Sequence, residues 1–292
     1  HCESSAASDV YKRQIAGSVT VDYIPVSDGS AFVDSVMFQQ PGTAYGTTKN
    51  VVIGGNIYQS DMGNSVSIGQ NALANGLDGT NGENVAIGLN SLNALTTGTN
   101  NVAIGSNTLP SISTAINNIA ISKNTLLNLG SGIGNIALGL DALHTVSSGS
   151  RNIAIGHTAT QATGGGPGSW DDNVIIGAGA LGNGTIPNVI QRNIVIGETA
   201  ATQVNSTVFA GNVLIGYQAG QGLTNNSSSD IGIGNNVFLG SAGGFSSSGS
   251  NIAIGAGAQG NNTLTGVESS IKIGSDAGPV SYTHLTLPTI RS

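Results

Sequence analysis

Residues 84–88 read Asn-Val-Ala-Ile-Gly, and the same five residues recur at 101–105. Close variants stand at 135–139 (Asn-Ile-Ala-Leu-Gly), 152–156 and 251–255 (both Asn-Ile-Ala-Ile-Gly). The pattern is set by Asn84, Val85, Ile87 and Gly88. It repeats in Asn101, Val102, Ile104, Gly105, then in Asn135, Ile136, Leu138, Gly139, then in Asn152, Ile153, Ile155, Gly156, and again in Asn251, Ile252, Ile254, Gly255. With the last residue as anchor there are 13 copies: Gly54, Gly69, Gly88, Gly105, Ser122, Gly139, Gly156, Gly177, Gly197, Gly216, Gly240, Gly255 and Gly274. Adjacent anchors lie 15 to 24 residues apart, and the spacing is a constant 17 from Gly88 to Gly156. Self-similarity at such a period is the signature of a stacked repeat architecture.

The motif has the period of a strand. Alternate side chains of a strand share a face, so Val102 and Ile104 point one way, and Asn101, Ala103 and Gly105 the other. Val and Ile suit a pleated surface, whereas Gly accepts a corner with φ > 0. A five-residue strand is not stable alone. Stacking on its copy in the next coil pairs its backbone and buries its aliphatic pair, at about 1.5–3 kcal/mol per side chain. The asparagines at the preceding corner are placed to form an amide ladder. The reading is all-β: a parallel β-solenoid of about 13 short coils over residues 50–279, on the order of 60 Å long at about 4.8 Å per coil. The face opposite the Val/Ile pair is also apolar (Ala86, Ala103, Ala137, then Ile175, Val195, Leu214 and Phe238). Strands apolar on both faces need cover on both, and a neighbouring subunit is one way to supply it.

The composition fits a solenoid better than a globular core. Charged residues make up 8% and aromatic residues 4%, with 45 glycines in 292 residues; a globular domain carries about a quarter charged. A net charge of −7 lacks the basic stripe that nucleic acid requires, and no apolar run is long enough to span a membrane. Residues 1–14, which hold Cys2, and 280–292 resemble translated adapter sequence and are expected not to belong to the fold. Residues 15–49 read as a β-rich lead-in segment.

The Asn-Val-Ala-Ile-Gly motif, its spacing and the small residue three positions after most anchors resemble the head repeats of YadA-like trimeric autotransporter adhesins, over roughly residues 50–274. The regular 17-residue coils with Thr97-Gly98, Ser131-Gly132 and Ser148-Gly149 turns, and the lead-in Val21–Gly42, are similar to arrays in phage tail fibres. This resemblance implies a homotrimer of left-handed β-rolls outside the cell, on a bacterial outer surface or a phage virion, attached to a host glycan or protein receptor.

The residues offer little beyond attachment. Trp170, Asp171 and Asp172 follow a Gly-rich insertion; an indole beside two carboxylates suits a sugar or, with its oxygen ligands, Ca²⁺, and the structural alternative is that Trp170 covers the edge of a coil. His144 and His157 read as surface residues. Asp141, Asp171, Asp172 and Glu198 could supply the carboxylate pair of a glycoside hydrolase, but nothing in the spacing marks a cleft. No catalytic residue, metal site or cofactor is expected. The alternative to a purely structural protein is a fibre-borne, polysaccharide-cleaving solenoid.

Overall fold

The computed structural model describes residues 37–38, 51–53, 65–75, 82–160, 169–182, 189–204, 208–221, 223–224, 228–239, 245–247, 250–259, 265–267 and 270–278. Both adapter-like ends, most of the lead-in and the Gly164–Gly168 insertion lie outside them. The described chain is all-β, a parallel β-solenoid. One 14-stranded sheet runs in chain order from Met37–Phe38 to Ile271–Ile273. Its first pair, Met37–Phe38 on Val51–Ile53, is antiparallel. Every later pair is parallel and in register, so that Val85 lies beside Val102, and Val102 beside Ile119.

The strands have only three residues because the anchor ends each one. Gly88, Gly105 and Gly156 have φ of 130°, 137° and 138°, a region open to glycine and strained for other residues. Space is closed as well: a Cβ on Gly69 would stand 2.8 Å from the carbonyl oxygen of Gly88. Ser122 takes the same conformation (φ 118°) with a side chain. Ser122→Gly should therefore raise stability by about 1 kcal/mol, the scale of one strained residue less glycine's extra chain entropy. A urea midpoint that falls would show that the serine is not strained.

Two expectations are corrected. The first is the facing of the strand. Ala86, Ala103, Ala120, Ala137 and Ala154 are fully buried, while Val102, Ile104 and their counterparts are half-buried or, as at Ile121, Ile194 and Ile233, exposed. The strand centre points into the coil, as Ala in the shorter coils and as Ile175, Val195 or Leu214 in longer ones, so the aliphatic pair that flanks it faces outward. The second is the anchor at Gly240. The sheet strand there is Ile231–Ile233, ended by Gly234 (φ 143°). Val237 and Phe238 instead lie three and four residues past the anchor, inside the coil.

The interior is filled by complementary volumes. The residue four past the anchor turns inward at φ near 50° (Leu92, Leu109, Leu126) and meets the strand centre of its own coil. A leucine in the left-handed region costs about 1–2 kcal/mol, which its complete burial offsets. Where the strand centre is Ala, the partner is usually Leu. Where the centre is Leu214, the partner is Gly220, whose Cβ would stand 2.5 Å from Leu214 Cδ1. One coil later the sizes reverse: Phe238 fills the space, and a Cβ on Gly232 would stand 2.7 Å from its ring. A second exchange accompanies the longer coils. In the 17-residue coils Leu95, Ile112, Leu129 and Val146 fill one corner; in the longer ones Trp170, Ile190 and Phe209 fill it from a second parallel sheet, Ser169–Asp171, Val189–Gln191 and Val208–Ala210.

Asparagines fasten the corner before each strand. Asn118 Oδ1 accepts from the backbone N–H of Asn135 at 2.9 Å and from its Nδ2 at 3.0 Å. The other proton of Asn135 Nδ2 goes to the carbonyl of Gly149 at 2.9 Å. The same bonds link Asn84, Asn101, Asn118, Asn135, Asn152, Asn173, Asn193 and Asn212, all buried. Asp230 continues the row as an acceptor for Asn251. The ladder expected from the motif is present, and it satisfies amide groups that would otherwise be buried without partners.

Candidate functional site

Turning the strands outward produces the main surface feature. Twelve strands, from Val66–Ile68 to Ile271–Ile273, each present two aliphatic side chains on one face of the sheet. Because the stack is in register, these form two columns, one from Val66 to Ile271 and one from Ile68 to Ile273. Columns two residues apart on a strand are about 7 Å apart, and levels about 4.8 Å. The stripe therefore covers about 400 Å², comparable with the largest apolar patch on a typical monomer, which is often functional. Leu89, Leu140 and Tyr217, each one residue past an anchor, are exposed beside it.

The sequence placed its ligand candidates elsewhere. Trp170 is 2% exposed and stacks in register with Ile190. Its ring belongs to the core, so it is not available to stack on a sugar. Asp171 Oδ1 accepts the backbone N–H of Ser150 at 3.0 Å, a corner bond of the solenoid. Asp172 stands outside at φ 62° and receives both Nε and Nη2 of Arg151, the latter at 3.1 Å. The Arg151 hydrogen bond holds the Asp172 carboxyl below its ordinary range, and the carboxylate in turn raises the guanidinium. Three neighbours in sequence thus face the core, a corner and a surface ion pair, not one site. His157 is exposed and His144 half-buried. Among the described residues no three His, Cys, Asp or Glu side chains gather to hold a metal ion, and no helix is long and apolar enough to cross a membrane.

Sequence reasoning missed a second polar row. Two residues past the anchor, Asn71 donates to Asn90 and Asn90 to Asn107, both at 3.0 Å; Asn107 donates to Asn124 at 3.4 Å and Asn124 to Asp141 at 3.0 Å. All five have φ between 53° and 58°, where Asn and Asp are tolerated best. The recurrence of Asn at a fixed distance past the anchor was the available signal. Comparison with protein-family models, curated proteins and solved structures returns no match.

Proposed function

We propose that the chain is a structural attachment protein: a homotrimeric fibre or adhesin head of left-handed β-rolls, about thirteen coils long, that holds to a glycan or protein receptor outside the cell. The observation that carries this reading is the outward stripe of paired Val and Ile along the whole rod. Such a stripe is narrow, so each rod can meet two others around a common axis and bury both columns. A rigid rod built from one repeated coil suits a spacer or an attachment surface better than a catalyst, which needs a cleft with convergent polar groups. The trimer, the location on a bacterial surface or virion and the receptor come from the resemblance of the repeat to YadA-like heads and tail-fibre arrays.

Sedimentation equilibrium of the chain should give a trimer. Ile104→Asp with Ile155→Asp places two charges in the stripe of each chain and should dissociate it, since an uncompensated buried charge costs several kcal/mol. Far-UV circular dichroism should stay that of the unmodified chain. A folded monomer of the unmodified chain at low micromolar concentration would rule out the trimer. Retention on surface glycans without product supports attachment; released oligosaccharide would establish the polysaccharide-cleaving alternative.

A further inference from the structure

Two further columns border the aliphatic stripe. On one edge stands the residue before each corner asparagine, including Glu83, Arg151, Asp172 and Arg192. On the other stands the residue one past each anchor, including Leu89, Lys123, Leu140, Glu198 and Tyr217. The stripe alone covers about 400 Å², about half of what each partner gives to a standard interface. Copies that bury the stripe therefore bring its borders together as well.

Charges on these borders are few and unevenly paired. Arg151 donates from both Nε and Nη2 to Asp172, so those two charges are matched within one chain. Arg192 lies one level beyond, close enough to act on the Asp172 carboxylate, whose hydrogen bonds go to Arg151. The side chains of Arg192 and Glu198 are exposed, and neither forms a hydrogen bond or an ion pair among the described residues. Both belong to one level. They flank the strand Ile194–Ile196, the cation on one border and the anion on the other. Six residues of chain separate them, up to roughly 20 Å, and they do not meet within one chain.

Symmetry decides which borders meet. Rotation about an axis along the rod keeps the copies parallel, and one border of each copy meets the opposite border of its neighbour at the same level. Arg192 then faces Glu198, Asp172 faces Ala178 and Arg151 faces His157. A two-fold axis across the rod makes the copies antiparallel, and each border meets itself with the levels reversed. The antiparallel pairing that joins Lys123 to Glu198 centres on the level of Gly156, where it sets Arg151 against Arg151. The parallel arrangement joins opposite charges without opposing like ones. It also fixes register. The stripe repeats a Val or Ile pair at almost every level and fits itself after a slip, but a slip of one level, about 4.8 Å, sets Glu198 against Asp172 or Gly211.

We infer that Arg192 of one copy pairs with Glu198 of the next, and that this pair holds the rods parallel and level. The pair, which rests on the proposed burial of the stripe between copies, supplies an orientation and register that the aliphatic columns lack, the usual part of charge complementarity in an interface.

Sedimentation equilibrium over a range of concentrations measures the association. Arg192→Glu and Glu198→Arg should each weaken it about tenfold or more, because like charges then meet in the contact. Both changes together should restore most of the loss, and Lys123→Glu should leave association unchanged. Single reversals without effect, or a double variant no better than the single ones, would overturn the pair and leave assembly through the stripe standing. A loss in Lys123→Glu as large as in Glu198→Arg would establish the antiparallel arrangement instead. A monomeric unmodified chain would overturn the pair and the assembly together. If a reversal fails to fold, Arg192→Gln with Glu198→Gln decides: its association should depend less on salt than that of the unmodified chain, and an equal dependence would overturn the pair.

Discussion

Asn135→Ala is expected to destabilise the solenoid by about 3–5 kcal/mol, far more than a surface amide would. Four hydrogen bonds depend on this side chain. Two run from its Nδ2 to Asn118 Oδ1 and the Gly149 carbonyl, and two run to its Oδ1 from the backbone N–H and Nδ2 of Asn152. All these groups lie at a buried corner, where water does not replace the lost partner. Each buried group left unsatisfied costs about 1–3 kcal/mol, with relaxation reducing the sum. The loss should centre on the coils either side, because a repeat array is held by nearest-neighbour contacts. Hydrogen exchange should show the amide of Asn152 losing protection while those of Asn84 and Asn251 keep theirs. Uniform loss of protection along the rod, or a cost below about 1 kcal/mol, would mean that the ladder is not what fastens the corners.

The second large effect is a transplant of core volume. Phe238→Gly alone removes a buried ring and should cost about 3–5 kcal/mol. Gly232→Leu alone forces a side chain into that ring and should cost about 1–3 kcal/mol or more. Together they recreate at 232 and 238 the arrangement that Leu214 and Gly220 already form one coil earlier. The backbone favours the exchange too, because Phe238 sits at a φ of 53°, which glycine adopts without strain. The double variant should recover at least about 2 kcal/mol relative to the sum of the single changes, the upper range of coupling between contacting residues. Chemical denaturation of the four proteins gives the coupling directly. Additive costs would show that the two side chains do not share one space.

Much of the fold was legible because the repeat is local. Alternation in Val102-Ala103-Ile104 fixes the strand, Gly105 the corner and Asn101 the ladder position, and copies at constant spacing imply in-register stacking. The reading failed at Gly240 for the same reason. Asn236-Val237-Phe238-Leu239-Gly240 matches the motif more closely than Asp230-Ile231-Gly232-Ile233-Gly234, and a motif match contains nothing about volume. Only stacking against Leu214 and Ala253 decides the register, since Gly232 leaves the space that Phe238 fills.

The candidate site divides in the same way. That each strand has an aliphatic pair on one face and small residues on the other is a property of the sequence alone. Which face is inside is not, because period two gives two equivalent assignments. The tertiary structure chooses: each coil interior is closed by one strand-centre side chain and the inward residue four past the anchor, and the two side chains that flank the centre are left outside. That choice turns the aliphatic pairs into a surface stripe. It also draws Trp170, which the sequence placed beside a loop as a ligand residue, into a corner that the shorter coils fill with Leu129 or Val146.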